Sequence, residues 1–416
     1  MARIVFTALG SLGDLHPMIP VAENLRRHGH VITFAVPSTM TDVIVAEGFA
    51  CSPINMPPYV QGEGPMAARS IEAHIAERFP KLLDAAIAVL ESACAGADLI
   101  VTHPLQLATA ITARKLGLRW VTLTVFPGFI PSGYTVPQPH WLPALPTPAG
   151  RAVNRLTWDI YNFGLRHLSR GVLDDALETH GLARERDIFT PGGLSPYLAL
   201  VLTSPAYSPA PPDWPASIKV AGYAEWDVPR GWQDPPQLEA FLAAGEPPVL
   251  VTTSTAGERD AAAFFRSAAA ALHSLGRRGI VLLGVAAADM GLQPGAELAP
   301  GVVAYPYLPF SRVVQRSSLA VHHGGVVTAQ TTIRHGRTCL ALPATFDQWF
   351  NAGRIRALGV GRVLEARRVT VERLADEIQA VEREPSYRER AQHLGAEMAH
   401  EDGAARSSEE IERLLA

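Results

Sequence analysis

Short runs of β-branched and other apolar residues recur along the chain, each followed by a turn and a stretch of helical spacing. In the first half, Ile4-Val5-Phe6 predicts a strand, Gly10-Ser11-Leu12-Gly13 a turn, and Met18 to Arg27 a helix ending near Gly29. A strand at Val31-Ile32-Thr33-Phe34 follows. The pattern continues with a helix around Lys81–Cys94, a strand at Leu99–Val101, a helix over Ala108–Leu116 and a strand at Trp120–Val125. Apolar strands alternating with helices predict right-handed βαβ units on a parallel sheet. The second half restarts the theme: strands at Val249–Val251, Ile280–Gly284 and Leu319–Val321, and helices at Asp260–Leu275, Thr328–His335 and Gln348–Leu358.

Two proline-rich stretches break the pattern. SPAYSPAPPDWPAS (Ser204–Ser217) cannot supply helix interiors or central strands. It reads as a connection between two domains that extends to about Pro229, with one long surface loop as the alternative. Pro127–Gly150 is too rich in proline for regular structure, yet it carries Phe129, Tyr134 and Trp141. Long loops of this kind are often functional, so it reads as a wall over a ligand site, against a packed surface loop.

Composition narrows the class. Of 416 residues, 48% are hydrophobic and 18% charged, which excludes disorder. A formal charge of −4 and only three lysines (Lys81, Lys115, Lys219) give no basic stripe for a nucleic-acid backbone. Cys51, Cys94 and Cys339 form no CxxC pair, so neither a disulfide framework nor a structural zinc site is expected, and a reducing, cytoplasmic setting is. MARIVFTALG reads as a strand rather than a targeting segment, and no run of about 18 uncharged apolar residues predicts a membrane span.

Ligands of open parallel sheets bind beyond the carboxyl ends of the strands, and two such domains facing each other make an interdomain cleft. The chemistry-bearing residues should therefore follow strands. After Leu319–Val321 comes His322-His323-Gly324-Gly325, then a helix. A helix N-terminus with glycines before it lets an anion approach backbone amides, and a diphosphate suits such a turn. Downstream, Phe346-Asp347-Gln348 follows a strand at Cys339–Leu342 and brings a carboxylate and an amide suited to sugar hydroxyls. Helix capping by Asp347 is the plainer alternative.

HHGG with a following threonine, then Pro343, Asp347, Gln348, Asn351 and Ala352 in a PxxxDQxxNA pattern, closely resembles the donor signature of GT-B nucleoside-diphosphate-sugar glycosyltransferases. The resemblance is to the bacterial natural-product, sterol 3-beta-glucosyltransferase and rhamnosyltransferase group of glycosyltransferase family 1. It covers essentially the whole chain. GSLGDLHP (Gly10–Pro17) is similar to the GxxGDxxP opening of that group.

The resemblance implies an α/β protein of GT-B fold: two Rossmann-like domains facing an interdomain cleft. The acceptor domain would span 1–210, a linker 211–229 and the nucleotide-sugar domain 230–398. Residues 399–416 would form a helix packing back on the N-terminal domain. His322, Gly324, Gly325, Val327 and Thr328 would bind the diphosphate, with Thr255 reaching the phosphates. Tyr307 and Leu308 would meet the base, and Asp347 and Gln348 the sugar. Ser254 and Val327 stand where glycines are common in the group. Asp14, three residues before Pro17, takes the position of the catalytic base, with His16 as the rival. His103, Tyr134 and Trp141 are candidates for acceptor contact, and His103 could instead orient Asp14. No Asp-x-Asp motif occurs, so no metal and no other cofactor is expected.

The implied activity is inverting transfer of a hexose from a UDP- or dTDP-sugar to a hydroxyl of a lipophilic acceptor. A catalytically silent helper protein and a sugar-nucleotide epimerase of the same fold are the alternatives. A nicotinamide oxidoreductase fits less well, because Gly10-Ser11-Leu12-Gly13 is not GxGxxG.

Overall fold

The structure, a computed structural model, describes residues 1–9, 11–55, 79–137, 144–183, 194–253 and 261–416. The chain forms two compact units. One comprises Met1–Pro205, Pro209–Trp226 and Asp402–Ala416; the other comprises Ala206–Ser208 and Asp227–Glu401.

The first unit is built on strands β1 (Arg3–Thr7), β2 (Val31–Pro37), β3 (Ala50–Ile54), β4 (Leu99–Thr102), β5 (Arg119–Thr124), β6 (Leu198–Val201) and β7 (Ile218–Val220). Among the described residues they lie in the order β3-β2-β1-β4-β5-β6-β7, every neighbouring pair parallel. β4 is buried along its whole length, as the uninterrupted run Leu99-Ile100-Val101 requires of a strand covered on both faces. The strand order reverses between β1 and β4, a switch point at which such sheets bind ligands. β7 falls inside the proline-rich connection. It is three residues long and lies on the sheet edge, where nearby prolines interrupt no ladder.

The proline-rich loop of this unit leads into a 32-residue helix, Pro148–Thr179, started by the Thr147 side chain accepting from Gly150 N and by Pro148 in its first turn. Asn154 of that helix, buried, donates from Nδ2 to the carbonyls of Gly133 (2.8 Å) and Leu145 (3.0 Å) and accepts from Leu145 N at Oδ1 (3.0 Å). Asp213 holds the same loop through Ser132 Oγ (2.6 Å) and Gly133 N (2.7 Å). The described part of the loop is thus fixed by buried and partly buried polar contacts. The last helix, Gly403–Leu415, lies against Met18–Arg27 in this unit. Ser408 Oγ donates to Val21 O (3.3 Å), and Glu412 Oε1 takes bonds from His28 Nδ1 (2.9 Å) and His30 Nε2 (3.1 Å).

The second unit repeats the plan with β8 (Val249–Thr252), β9 (Gly279–Leu282), β10 (Ala296–Ala299), β11 (Val302–Tyr305), β12 (Leu319–His322), β13 (Thr338–Ala341) and β14 (Gly361–Val363). Their order is β10-β11-β9-β8-β12-β13-β14, parallel except for the β10–β11 edge hairpin. The order reverses between β8 and β12. Helices close both sheets with apolar stripes. On Val371–Arg383 the buried residues are Leu374, Ala375, Ile378 and Val381, packed on a core that includes Val251, Phe265 and Leu340. Burying one such large side chain contributes about 1.5–3 kcal/mol. Both units are Rossmann-like, as the alternating pattern predicts. No helix among the described residues is long and apolar enough to cross a membrane.

Candidate active site

In the first unit the two strands at the switch point, β1 and β4, end side by side, with Thr7 opposite Thr102. The chain leaving β1 makes a one-turn helix, Leu12–Leu15, and Pro17, which has no N–H to continue the ladder, separates it from the helix Met18–Arg27. Ser11 is the N-cap of that turn and Asp14 its third residue. Asp14 thus lies between β1 and the helix Met18–Arg27, in the capping box of this short turn. Asp14 Oδ2 accepts from Ser11 N (2.8 Å) and Ser11 Oγ (3.1 Å).

The other oxygen, Oδ1, lies 3.3 Å from His103 Nε2. His103 follows β4 directly. Its backbone N–H donates to Thr7 O (3.1 Å), which ties it to the end of β1, and its Nδ1 accepts from Leu105 N (3.3 Å). With Nδ1 used as an acceptor, Nε2 is the ring nitrogen that carries a proton toward the carboxylate. Burial raises the Asp14 pKa, but the electrostatic pull and hydrogen bond of His103 Nε2–H and the two Ser11 bonds outweigh it, so the carboxyl sits below its ordinary value. His16, the rival base, has its ring edge against Trp226 (centroids 4.8 Å apart), and burial lowers its pKa to about 4. Tyr134 is 41% exposed with the Arg151 guanidinium 5.1 Å from its ring centre. Gly10 and Trp141 lie outside the described residues, as do Ser254 and Thr255 in the second unit.

In the second unit β12 ends at His322, and the helix Val326–Arg334 begins after Gly325, its N-cap. Val327 and Thr328 are the second and third residues of that helix, in its first turn. Gly324 has φ +90°, open to glycine but strained for other residues, and a Cβ there would lie 3.1 Å from the Gln348 carbonyl oxygen. The turn after β12 therefore presses directly on the first turn of the helix Phe346–Leu358, and the two halves of the sequence signature meet.

His322 is fully buried. Its Nδ1 accepts from Gly324 N (3.1 Å), so its proton lies on Nε2, and Nε2 has no hydrogen-bond partner among the described residues. His323 Nδ1 is likewise buried and unpartnered. Burial, reinforced by His323, lowers the His322 pKa to about 3; burial lowers His323 to about 4. Both rings are neutral at physiological pH. A buried donor left unsatisfied costs about 1–3 kcal/mol, a cost that an anionic ligand oxygen would remove.

Gln348 caps its own helix. Its Oε1 accepts from Ala344 N (2.8 Å) and Thr345 N (3.1 Å). The capping role weighed for Asp347 thus belongs to Gln348, the third residue after the Thr345 N-cap, where a reach back to the cap amides is short. This commits the Gln348 oxygen and leaves its NH2 as the group able to donate elsewhere. Asp347 Oδ2 accepts from Asn351 Nδ2 (3.4 Å), one turn on. Leu308 has its side chain in the core beside Leu238 and Leu250, so only its backbone could meet a base. The Tyr307 hydroxyl donates to Asp227 O (2.8 Å), with Trp232 edge-on at 5.6 Å; burial and then the Asp227 charge raise its pKa. Asp227 also accepts from Ser311 N (2.6 Å) and Ser311 Oγ. Nothing in the local pattern around Asp227 signals this role; it follows from chain crossings only the fold makes. Among the described residues, no group of three or more His, Cys, Asp or Glu could hold a metal ion.

Comparison with known proteins places this geometry in a family. Residues 283–414 match the model of the erythromycin biosynthesis protein CIII-like C-terminal domain. The chain is 28% identical to O-mycaminosyltylonolide 6-deoxyallosyltransferase of Streptomyces fradiae over 96% of this chain and 94% of that one. It is 30% identical to glycosyltransferase GtfE of Amycolatopsis orientalis over 86% of this chain and 85% of that one. In three dimensions it resembles the glycotransferase of kitacinnamycin (TM-score 0.74, 19% identity, 100% and 99% of the two chains). It also resembles Streptomyces sp. SF2575 glycosyltransferase SsfS6, solved with thymidine diphosphate (TM-score 0.65, 22% identity, 99% and 100%). Sequence identity at this level over most of both chains, together with the two Rossmann-like units, means that the chain belongs to the nucleoside-diphosphate-sugar glycosyltransferases of the antibiotic-biosynthesis type, enzymes of GT-B fold.

Proposed function

We propose that the protein is an inverting glycosyltransferase that moves a hexose from a UDP- or dTDP-sugar to a hydroxyl of a lipophilic acceptor. The observation that carries the donor assignment is His322: a neutral, fully buried ring whose Nε2–H has no partner among the described residues, beside a glycine turn and a helix N-terminus. A diphosphate oxygen supplies the missing acceptor. Asp347 and the Gln348 NH2 follow on the adjoining helix turn, with groups that pair with ring hydroxyls. That the same fold holds thymidine diphosphate in SsfS6 supports the nucleotide class.

In this reaction the acceptor oxygen attacks the anomeric carbon while the carbon–oxygen bond to the diphosphate breaks on the opposite face. The acceptor proton passes to Asp14. Oδ2 already accepts two bonds from Ser11 and Oδ1 one from His103, so the proton goes to the remaining lone pair of Oδ1. A carboxylate held below its ordinary pKa is a weak base, and it takes the proton late, once the new bond has made the hydroxyl acidic. His103 orients the carboxylate. Charge on the leaving diphosphate meets His322 Nε2–H and the amides at the start of Val326–Arg334, an electrostatic stabilisation that calls for no metal.

The acceptor class is supported by the aromatic, proline-rich loop held on the helix Pro148–Thr179, and by the O-mycaminosyltylonolide in the name of the Streptomyces fradiae relative. The test is a donor-by-acceptor screen, run with EDTA present, that follows release of free UDP or dTDP. Release that requires both a sugar nucleotide and a lipophilic alcohol is the expected result. Isomerised sugar without an acceptor would identify an epimerase. Tight nucleotide binding without turnover on every acceptor would identify a helper protein.

A further inference from the structure

Tyr207 belongs to the three-residue segment Ala206–Ser208, which groups with the second unit although the chain on both sides groups with the first. Its ring is buried, 1% exposed, and its hydroxyl donates to Asn351 Oδ1 at 2.9 Å. Asn351, 0% exposed, offers the other end of its amide to Asp347: Nδ2 lies 3.4 Å from Asp347 Oδ2. Arg354 Nε donates to the Tyr207 carbonyl oxygen (2.8 Å) and anchors the segment on the same helix.

The three groups determine one another's orientation. An amide has one accepting and one donating end. The phenol, buried and beside Asp347 and the Cys339 thiol, stays protonated and donates. Its proton turns the Asn351 oxygen toward it, and the NH2 is thereby turned toward the carboxylate. The opposite amide orientation would set an oxygen against the Asp347 carboxylate in a partly buried environment, where mismatched polar groups are costly.

We propose that Tyr207 is a positioning residue for donor-sugar recognition: through Asn351 it sets the plane of the Asp347 carboxylate, and so the direction of the lone pairs offered to the sugar hydroxyls. This deepens the donor-site assignment above and rests on it. The connecting segment is then more than a tether. One of its side chains helps select which sugar the second unit accepts.

The test is titration calorimetry of wild type and Tyr207→Phe with four probes: UDP, dTDP, UDP-glucose and dTDP-glucose. The substitution keeps the ring and removes only the hydroxyl. Affinity for the free diphosphates, which have no sugar, should change by less than about twofold, while affinity for the better sugar nucleotide falls by about fivefold or more. Asn351→Asp, which keeps an acceptor for Tyr207 and removes the donor to Asp347, should show the same split. Equal losses for diphosphate and sugar nucleotide, or a loss only in thermal stability, mean a structural role and overturn the inference. Sugar-nucleotide affinity unchanged in both variants overturns it alone. Failure of the wild-type protein to bind any of the four overturns the donor site and the inference with it.

Discussion

His103 Nε2 lies 3.3 Å from Asp14 Oδ1, and the two residues come from the ends of neighbouring strands 89 positions apart in the chain. The Nε2 proton faces the carboxylate because Leu105 N occupies the other ring nitrogen. The pair places an oriented, ionised carboxylate at the switch point of the first sheet. Removing His103 takes away the electrostatic pull and hydrogen bond of its Nε2–H that hold the Asp14 pKa down. In His103→Phe the acid limb of the kcat/KM–pH profile should therefore move to higher pH, because Asp14 becomes protonated earlier on acidification. An unshifted limb would separate His103 from the base.

Asp14→Asn keeps the size of the side chain and removes its basicity. Turnover should fall by about 100-fold or more, the scale of general-base catalysis, while the affinity for free UDP or dTDP stays level. Single-turnover kinetics combined with calorimetry measure both quantities. Turnover close to wild type would shift the role to His16 or to another group.

His322→Ala removes the buried Nε2 donor and the Nδ1 contact that shapes Gly324. Diphosphate affinity should drop by about tenfold or more, as expected for losing a hydrogen bond to a charged group. The wild-type ring stays neutral down to about pH 3. Its own contribution to diphosphate binding should accordingly be constant from pH 5 to 9, apart from titration of the diphosphate itself. A binding step near pH 6.5 that disappears in His322→Ala would contradict the neutral ring.

Gln348 carries two roles that substitution can separate. Gln348→Glu retains an oxygen for the Ala344 and Thr345 amides, so the helix cap and the melting temperature should be preserved while the NH2 donor is lost. Gln348→Ala loses both and should cost about 1 kcal/mol of stability in addition, the usual value of a cap. If the NH2 meets the sugar, both variants weaken sugar-nucleotide binding and only the second unfolds earlier. Full sugar-nucleotide affinity in Gln348→Glu would confine Gln348 to the cap.

Acid should destabilise the fold through buried histidines. The pKa values of His16, His322 and His323 are lowered to about 4, 3 and 4, so on acidification below the ordinary histidine value of 6.5 the unfolded chain takes up protons that the folded chain refuses. Stability then rises with pH up to about 6.5 and levels off above it. Asp14, depressed in the fold, adds a loss in the same direction at lower pH. Urea unfolding between pH 4 and 8 should show this slope, and His16→Gln should flatten it. A flat profile in the wild type would mean that these rings are solvated.

Much of the architecture is legible in the chain itself. Helices at Met18–Arg27 and Ala108–Leu116 begin and end where their apolar spacing and the following glycines put them, because local sterics and periodicity act over a few residues. The strands at Val249–Thr252 and Leu319–His322 are evident as apolar runs, since a strand covered on both faces needs little else. β10, β11 and β14 are not evident. Each is three or four residues long; β10 is an edge strand held in a hairpin by β11, and β11 and β14 take their parallel partners, β9 and β13, from across intervening elements. The glycine turn after β12 and the Asp347-Gln348 pair can be read as a donor signature because the fold keeps each within one short segment.

What only the tertiary structure decided is which groups are already committed. Composition and spacing leave His103 open between touching an acceptor and orienting Asp14, and the strand order β1-β4 resolves its contact by seating the two side by side. The cap passes from Asp347 to Gln348 because a reach of three residues fits the first helical turn. Tyr207, in a stretch that reads as a bare connection, bonds to Asn351 only because the chain folds 144 residues of sequence separation into 2.9 Å. Local chemistry determines which elements form and which side chains are available; long-range packing determines whether a hydrogen-bonding group faces a ligand or another part of the protein.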